Sequence, residues 1–340
     1  MEIQENISLR PYNTFGIDVK AKYLTSVDRV EQLENLKEKF PDERILFLGE
    51  GSNVLFLNDF DGIVVRNEIK GIQVVQQTDE YEIWDIAGGE HWHDVVELSV
   101  KQNLSGIENL ALIPGKAGTA PVQNIGAYGR EIKDVLISCE AFDLTNGRYR
   151  VFSNEECQFG YRDSLFKRPE NKNRYFIYRI RLRLIPNGTP ETGYRALQQY
   201  FTENHIDKPS IKDVFDAVVH IRRSKLPDPA EIGNAGSFFK NPVVDAGKFK
   251  ALISAYPSMA YYKISDDSYK IPAAWLIDNA GWKGYREGDA GVHHKQALVL
   301  VNYGRATGRD IYRLSQKIID DIKEKYGLEL EREVQIIGRY

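Results

Sequence analysis

Two glycine-rich segments restrict what this chain can fold into more than any other feature of its sequence. The first, Gly49–Phe56, reads GEGSNVLF and lies between two apolar stretches of β character. The second, Pro114–Gly129, reads PGKAGTAPVQNIGAYG. A Rossmann fold requires a helix directly after glycines at GxGxxG spacing, because that helix binds the pyrophosphate. The first segment meets neither condition, so the sequence disfavours a Rossmann domain.

The second segment has too little side-chain volume to fill a hydrophobic core. Glycine, alanine and proline make up most of it, whereas an ordinary surface loop carries more Asp, Asn, Ser or Lys. Successive N–H groups of a turn can bind an anion without a helix, although for the first segment alone an ordinary turn is the more common explanation. Together, the two segments match what a dinucleotide with a pyrophosphate needs in a fold that is not Rossmann.

Composition bounds the class of protein. A chain of 340 residues is expected to form two or three domains, and a net charge of −4 gives no reason to expect a nucleic-acid partner. Two cysteines, Cys139 and Cys157, cannot build a disulfide framework. The N-terminal stretch has no signal-peptide pattern, and no apolar run has membrane-spanning length. We therefore expect a cytoplasmic protein that does not bind membranes.

Apolar periodicity predicts strands and helices in mixed order, which is typical of an α+β or α/β class. The helices are predicted at 28–40 (with Asp28 and Glu31 as a capping box), around Val95, Val96 and Val100, at 210–223 (capped by Ser210 and Asp213), and at 310–326, ended by Gly327. Strands are predicted on both sides of the first glycine-rich segment, within 62–67 and 71–89, and at 328–338. Two prolines in KLPDPAE predict a domain boundary near residue 222.

Two further stretches have a clear β pattern. ISCEAFDLTNGRYRVF predicts a hairpin with a type I′ turn at Asn146–Gly147. FIYRIRLRL predicts a strand in which two sets of side chains occupy opposite faces. One face would carry Phe176, Tyr178, Ile180, Leu182 and Leu184, and the other Arg179, Arg181 and Arg183. Alternation explains the arginines as a solvated sheet face more simply than as a phosphate site.

The stretch GNAGSFFKNP, Gly233–Pro242, places one serine between small residues and two aromatics. Small residues let a ligand approach the backbone, and aromatics can exclude water from a site. From this stretch alone, a glycine-rich turn entering a buried strand is the more common explanation, and a catalytic Ser237 is the alternative.

Other candidate site residues are ambiguous when taken alone. Glu333 in LELEREV has the pattern of a solvated strand residue. Arg162 in YRDS has the pattern of a residue that forms an ion pair with Asp163. His91 and His93 with Asp94, like His293 and His294, do not complete a set of ligands at a known metal-binding spacing. We therefore predict no metal site.

Several stretches in order along the chain together resemble one known family. They are RPYNTFGI, GEGSNVL, SGIENLALIPGKAGTAPVQNIGAYG, FGYRDSLFK, KLPDPAEIGNAGSFFKNP, AAWLIDNAGWKG and LEREVQIIG. The resemblance runs from about Leu9 to Gly338 and is to the UDP-N-acetylenolpyruvoylglucosamine reductase (MurB) family, in its longer, type I form. Because of the resemblance, a catalytic role for Ser237, Glu333 and Arg162 is favoured over the more common explanations given above.

The resemblance implies an α+β fold with a vanillyl-alcohol-oxidase (PCMH-type) FAD-binding domain. Residues 1–69 and 70–221 would form its two subdomains, 222–325 a UDP-sugar substrate domain, and 326–340 a strand that returns to the FAD side. It also implies non-covalent FAD, NADPH as hydride donor, a UDP-sugar substrate and peptidoglycan precursor synthesis. The lack of a long coiled coil favours a monomer.

The resemblance also assigns site residues. The catalytic residues would be the serine of GNAGSFF, the arginine of FGYRDS and the glutamate of LEREV: Ser237, Arg162 and Glu333. The residues that bind FAD would be Gly49, Glu50, Gly51, Ser52, Asn53, Gly115, Gly118, Thr119, Gln123, Asn124, Gly126 and Tyr128. The residues that contact the UDP-sugar would be Tyr194, Lys225, Asn241 and Gln296.

Two other functions stay open at this point. One is an FAD-linked oxidase, although Gly115–Gly129 lacks the His or Cys that often attaches flavin in such proteins; the other is a UDP-sugar binding protein without catalysis. The sequence also departs from the family at two positions. Arg332 stands where many relatives have proline, which would affect the backbone of Glu333, and Lys116 places a charge near the expected cofactor phosphates.

Overall fold

The computed structural model describes residues 2–339 and alternates strands and helices along the chain. The strands are β1 (Ile3–Ser8), β2 (Lys20–Val27), β3 (Ile45–Leu48), β4 (Val54–Phe56), β5 (Phe60–Asn67), β6 (Ile72–Gln77), β7 (Glu82–Ala87), β8 (Leu104–Ser105), β9 (Gly126–Ala127), β10 (Arg130–Glu131), β11 (Leu136–Asp143), β12 (Arg148–Ser153), β13 (Tyr175–Pro186), β14 (Gly233–Ser237), β15 (Val243–Asp245), β16 (Tyr262–Ser265), β17 (Ser268–Lys270), β18 (Arg286–Glu287), β19 (Ala290–Val292), β20 (Val299–Asn302) and β21 (Gln335–Ile337). The helices are α1 (Gln32–Lys39), α2 (Trp92–Lys101), α3 (Arg195–Glu203), α4 (Ile211–Lys225), α5 (Ala246–Ala255), α6 (Ala273–Asn279) and α7 (Gly308–Tyr326). This content confirms the α+β class.

The chain forms two units, each made of segments that are discontinuous in sequence. The first unit comprises the described residues up to Ile7, Ala21–Glu50 and Asp61–Ser224. The second unit comprises Ser8–Lys20, Gly51–Phe60 and the chain from Lys225 onward. The division into two FAD subdomains and a substrate domain stays a prediction.

In the first unit, one sheet has the order β1-β2-β5-β3, and a larger sheet has the order β12-β11-β13-β7-β6, with β8 paired to the end of β13. The apolar face of the larger sheet packs with α2, α3 and α4 into one buried cluster. In the second unit, the sheet β14-β20-β19-β18 is covered by α7, whose apolar side is buried, and β21 pairs in parallel with β4.

Two local predictions are wrong in their details. Helix α1 begins at Gln32 instead of Asp28, because the Gln32 side chain reaches back and donates to the Asp28 carboxylate (2.7 Å) while accepting from the Asp28 N–H. The hairpin of β11 and β12 is confirmed, but its turn is not type I′. Gly147 has a φ of 68° and Asn146 does not share this left-handed backbone, because residues 144–147 form a longer loop closed by Asp143.

The predicted alternation along β13 is interrupted at Tyr178. Glu140 of β11 pairs with Arg179 and the next residue, Ala141, pairs with Ile177, so Tyr178 is an extra residue in a β-bulge. The bulge reverses the faces, so Ile177 joins the core with the later apolar residues while Phe176 packs on the opposite side. The arginines do lie outside the core, and two of them pair with Asp85 of β7: Arg179 and Arg181.

The C-terminal elements are confirmed with one correction. Helix α7 begins with a capping box between Thr307 and Asp310 and ends at Gly327, whose φ is 60°. The strand predicted at 328–338 is only Gln335–Ile337, because its partner β4 is equally short. No helix within residues 2–339 combines the length and hydropathy that a membrane span requires.

Candidate functional site

Ser237 is the last residue of β14 and is half-buried. The residue before it, Gly236, has a φ of 66°, and a Cβ there would meet no atom within 4 Å. Glycine is therefore required by the backbone conformation and not by crowding. Phe238 and Phe239 are almost fully buried, with ring centroids 5.2 Å apart. The two phenylalanines belong to the core, and the half-buried Ser237 lies at the edge of that core.

The segment that carries Glu333 is hydrogen-bonded to the residue after Ser237 and to Asn53. The Glu333 N–H donates to the carbonyl of Phe238 (2.8 Å), and the Glu333 carbonyl accepts from Asn53 Nδ2 (3.3 Å). The Lys240 N–H donates to the Glu331 carbonyl (2.8 Å), so the segment after Ser237 and the segment that carries Glu333 are joined by a second main-chain bond. The second unit thus brings together Ser237, Glu333 and Asn53, which are far apart in sequence.

Arg332 leaves this backbone pairing intact. It forms a β-bridge with Phe239, and its side chain lies on α7, where Nε donates to Ser315 Oγ (2.8 Å) and Nη2 to Gln316 Oε1 (2.8 Å). Its guanidinium also lies 4.3 Å from the ring centroid of Tyr312. Burial lowers the pKa of Arg332. The charge that replaces proline therefore ties the segment carrying Glu333 to the helix.

Arg162 belongs to the first unit and lies on left-handed backbone, with a φ of 54°. Its Nη2 donates to the carbonyl of Gly126 (2.5 Å), and its Nη1 lies 3.9 Å from Glu131 Oε1. Because a non-glycine residue rarely adopts this conformation, the backbone is strained at the residue whose guanidinium the resemblance assigns to the substrate.

Tyr128 lies in the same unit and has the same unusual backbone, with a φ of 48°. Asn109 Nδ2 donates both to the Tyr128 carbonyl and to the Glu191 carbonyl, each at 2.9 Å. The Tyr128 ring packs edge-to-face on Tyr194, with centroids 5.3 Å apart. Burial raises the pKa of the Tyr128 phenol, and the charge of Arg222 partly opposes this shift. The two tyrosines assigned to ligands are therefore neighbours.

Arg222 on α4 is a charged residue of this region that the sequence analysis missed. Its Nη2 donates to the carbonyl of Leu112 (3.2 Å), and Leu112 is also left-handed, with a φ of 56°. The sequence does contain a sign of this residue's position. Arg222 follows Val218 by four residues, so it falls on the apolar face of the predicted helix. A charge on a buried helix face is unusual unless it has a partner.

The first glycine-rich segment offers unpaired donors. The backbone N–H groups of Glu50, Gly51 and Ser52 pair with no acceptor in residues 2–339. Gly51 has a φ of 66°, and a Cβ there would lie 2.1 Å from the Tyr12 carbonyl oxygen, so only glycine fits this turn. Successive N–H groups around a left-handed residue form an anion-binding nest. The segment therefore fits a pyrophosphate.

Most backbone donors of the second glycine-rich segment are paired with acceptors of the protein. Gly115 N–H donates to Glu50 Oε2 (2.7 Å), Gly118 N–H to the Gly88 carbonyl (2.9 Å), and Thr119 N–H to the Lys116 carbonyl (2.9 Å). Glu50 Oε1 also contacts His91 Nδ1. The Glu50 carboxylate thus connects the two glycine-rich segments.

Two residues near this segment face protein atoms. Lys116 is 1% exposed, and its Nζ contacts Glu68 Oε2 (2.7 Å) and the Asn67 carbonyl (2.5 Å), so it faces the interior instead of a cofactor phosphate. Burial lowers its pKa. The Asn124 amide is fully buried and donates to Glu131 and to the Gly160 carbonyl. The half-buried Gly126 and Gln123 complete this part of the first unit.

The residues assigned to the UDP-sugar lie in different settings. Lys225 is exposed at the end of α4. In the second unit, Asn241 Oδ1 accepts from the Ala273 N–H (2.9 Å), and Gln296 Oε1 accepts from the Leu298 N–H (3.4 Å). Within residues 2–339, no group of three or more His, Cys, Asp and Glu side chains is arranged to hold a metal ion.

The fold and the donor turn define a flavoprotein class, and residues 23–153 match the FAD binding domain family. Residues 228–337 match the C-terminal domain of UDP-N-acetylenolpyruvoylglucosamine reductase. The reductases of that name from Flavobacterium johnsoniae and Pseudomonas putida are 45% and 46% identical, covering 99% and 97% of this chain and 100% and 97% of their own lengths. The crystal structure of the reductase from Thermus caldophilus is 25% identical, with a TM-score of 0.68 over 99% of this chain and 100% of that one. The chain belongs to the UDP-N-acetylenolpyruvoylglucosamine reductase family.

Proposed function

We propose that this protein is an FAD-dependent reductase that converts UDP-N-acetyl-3-O-(1-carboxyvinyl)-glucosamine to UDP-N-acetylmuramate in peptidoglycan precursor synthesis, with NADPH as the hydride donor. The observation that carries the proposal is the backbone pairing of Glu333 with Phe238, next to Ser237, in a chain that matches the family over its whole length. This pairing supports the proposal, because it joins the main chain of Glu333 to the residue that follows Ser237.

FAD fits the first glycine-rich segment, where the N–H groups of Glu50, Gly51 and Ser52 can bind its pyrophosphate. Glu50 itself accepts from Gly115 N–H, so its carboxylate holds the second segment against this turn. When bound, FAD supplies the hydride that is added to the methylene carbon C3 of the substrate. The binding is non-covalent, since residues 115–129 contain neither His nor Cys.

Arg162 stabilises the charge that develops after hydride addition. Negative charge appears at C2 and spreads into the substrate carboxylate, so a cation at that carboxylate is more stabilising in the transition state than in the ground state. A guanidinium suits this role because it presents parallel N–H donors and stays charged. Its hydrogen bond to the Gly126 carbonyl holds the side chain in one orientation.

Ser237 donates the proton to C2, and Glu333 hydrogen-bonds to the developing charge. A hydroxyl is a weak acid, but a carbanionic carbon is strongly basic, and water can restore the proton afterwards. Glu333 contributes when its carboxyl is protonated or shares a proton, because only then can it donate a hydrogen bond to that charge. Tyr194, Lys225, Asn241 and Gln296 contact the UDP portion. A monomeric state and a cytoplasmic location remain predictions, and size-exclusion chromatography with light scattering tests the first.

Anaerobic stopped-flow spectroscopy of Ser237→Ala tests the proposal. NADPH should bleach the flavin of this variant at the parent rate, whereas reoxidation by the substrate should slow ~10²–10⁴-fold, the usual loss on removing a positioned acid. Ser254→Ala, an exposed serine of α5, is the matched control and should behave like the parent. Reoxidation of Ser237→Ala at the parent rate would assign the proton to another group. A purified parent protein without a flavin spectrum would overturn the reductase itself.

A further inference from the structure

Lys116 carries a long side chain in a layer of the first unit whose other members are small. A Cβ at Gly118 would lie 2.4 Å from the Ile177 carbonyl oxygen, and a Cβ at Gly89 would lie 2.5 Å from the Ile69 carbonyl oxygen. Main chains therefore pack directly against each other here, without side chains between them. The small residues of this layer are Gly88, Gly89, Gly115, Ala117 and Gly118.

Lys116 adjoins the point where the two glycine-rich segments meet. The Gly115 N–H donates to the carboxylate of Glu50, which belongs to the first segment (2.7 Å). The Gly115 carbonyl accepts from the Trp92 N–H (2.9 Å), and Lys116 itself forms a β-bridge with His91. Gly115 is thus the junction of the two segments, and Lys116 is the next residue along the chain.

The Lys116 side chain connects this junction to the end of β5. Its Nζ donates to the Asn67 carbonyl (2.5 Å) and lies 2.7 Å from Glu68 Oε2. The residue is 1% exposed, so its ammonium group has been removed from water. A buried cation is costly unless it is paired, and Glu68 is shared with Arg66, which lies 2.7 Å from its other oxygen. The chain therefore places an expensive group where an apolar side chain would cost less.

We propose that Lys116 is a positioning residue for FAD, whose ammonium group holds the junction of the two glycine-rich segments on the end of β5. This inference rests on the proposed function, because that function supplies FAD as the ligand of both segments. FAD needs both segments in place at once. A state in which the second segment has moved binds FAD less well, and the apparent affinity falls with the population of the competent state. Lys116 thus acts on FAD without contacting it.

Direct contact with the FAD phosphates is the competing role for a lysine in this segment. The Lys116 ammonium group is enclosed by protein and is already engaged by the Asn67 carbonyl and the Glu68 carboxylate. A phosphate would have to displace both partners before it could bind. The contacts therefore favour an effect through the main chain over an effect at the ligand.

Equilibrium ultrafiltration of the FAD-loaded protein over a dilution series tests the inference, because the flavin in the filtrate gives the dissociation constant. Lys116→Met keeps an unbranched chain and removes the charge. It should raise the dissociation constant about 10-fold, which corresponds to a competent state reduced to about a tenth. Lys212→Met removes an exposed lysine of α4 that pairs with Asp216, so it is the matched control and should leave the constant unchanged.

Glu68→Gln tests the same contact from its other side without opening a buried space, because 29% of this side chain is exposed. It should weaken FAD binding in the same direction. The double variant should be no weaker than Lys116→Met alone, since both substitutions remove one contact. Far-UV circular dichroism of the FAD-free variants should match the parent, and calorimetry of the FAD-loaded variants should show binding of UDP-N-acetylmuramate within about 3-fold of the parent.

An unchanged FAD dissociation constant in Lys116→Met would overturn the inference. A weaker constant in a variant whose FAD-free form has lost its dichroism would also overturn it, because Lys116 would then support only the fold. Weakening by Lys116→Met together with parent-like binding in Glu68→Gln would indicate direct contact with FAD, and the positioning role would fail. A parent protein that neither carries flavin nor binds added FAD would overturn the proposed function itself.

Discussion

Ser237 and Glu333 are held by hydrogen bonds between main-chain atoms of extended segments, whereas Arg162 and Tyr128 lie on left-handed backbone that side chains hold in place. We call the first the ladder region, made of residues 53–56, 237–240 and 331–337, and the second the loop region, made of residues 109–112, 126–131 and 162 with Arg222. In the ladder region hydrogen bonds between main-chain atoms carry the pairing, so positions outside the core can accept different side chains. In the loop region the geometry depends on particular side chains, among them Asn109, His93 and Arg222.

This difference predicts how each region responds to substitution. The ladder region should be destabilised when a hydrogen-bonded N–H is removed, and it should tolerate changes at side chains that are outside the core and make no hydrogen bond. The loop region should be destabilised when a side chain that bonds to one of its carbonyls is removed. Replacing a left-handed residue by glycine relieves backbone strain, so it should stabilise the protein without loss of activity only where that residue binds no ligand.

The largest effect is expected from removing a donor in the ladder region. The Gln335 N–H donates to the Asn53 carbonyl (3.0 Å), so Gln335→Pro should lower the free energy of unfolding by about 3 kcal/mol, the usual scale for proline in a hydrogen-bonded element. Urea denaturation followed by tryptophan fluorescence measures this. Gln335→Ala keeps the N–H and should cost less than about 1 kcal/mol. Equal losses for proline and alanine would show that the backbone bond is not what holds the region.

A smaller loss is expected at Arg332, where a side chain supports the ladder region from α7. Arg332→Ala removes hydrogen bonds to Ser315 and Gln316 and the contact with the Tyr312 ring, so it should cost about 2 kcal/mol. Arg332→Pro should cost about 0.5 kcal/mol less than alanine, because proline restricts the unfolded chain. No described backbone acceptor pairs with the Arg332 N–H, so proline breaks no bond there. A proline variant less stable than alanine would contradict this comparison.

A stabilisation is expected at a left-handed residue away from the loop region. His205, exposed just after α3, has a φ of 56°, and the Ile206 N–H closes the helix end on the Phe201 carbonyl (2.9 Å). His205→Gly should raise the free energy of unfolding by about 0.5–1 kcal/mol and leave turnover unchanged. Asn204→Gly, one position earlier where φ is −101°, is the control and should not stabilise. If both variants stabilise equally, backbone strain at His205 is not the cause.

The smallest effect is expected from pH, through His93. Its Nδ1 accepts from the Leu112 N–H, which requires a neutral ring, and burial lowers its pKa against the opposing charges of Glu97 and Asp94. Because the folded state binds this proton less readily than the unfolded state, stability should fall as the pH drops below the ordinary histidine value of 6.5. Melting temperatures between pH 5 and 8 measure it. His93→Asn, whose Oδ1 can replace Nδ1, should show a flatter profile, and an equally steep one would assign the dependence to other groups.

The sequence predicts those parts of the fold that depend on near neighbours. The α7 helix with its glycine end, the α2 helix and the β11–β12 hairpin follow from periodicity and turn residues. The bulge at Tyr178 could not be predicted, because it arises from how β13 pairs with β11, which is not encoded in the pattern of either strand alone. The short β21 strand is limited by β4 for the same reason.

The candidate site divides in the same way. Ser237 and Glu333 could be connected only through the family resemblance, since no spacing rule relates residues so far apart. The left-handed backbone of Leu112, Tyr128 and Arg162 carries no glycine or asparagine signal, because these residues adopt it under tertiary constraint. The charge of Lys116 predicts a place near the cofactor phosphates, and this is wrong because its carbon chain and ion pair with Glu68 allow it to be buried.

The pairing of β4 with β21 also determines when the second unit can form as the chain is made. Asn53 and Glu333, which join the two segments beside these strands, are separated by 280 residues. The later strands of the first unit, β5 to β8 and β9 to β13, are synthesised within that interval, so this unit can pair its strands while β4, whose residues are buried in the folded protein, still has no partner. A ribosome that stalls between the two strands therefore holds a chain in which β4 has no strand partner and the segment that carries Glu333 has not yet been made.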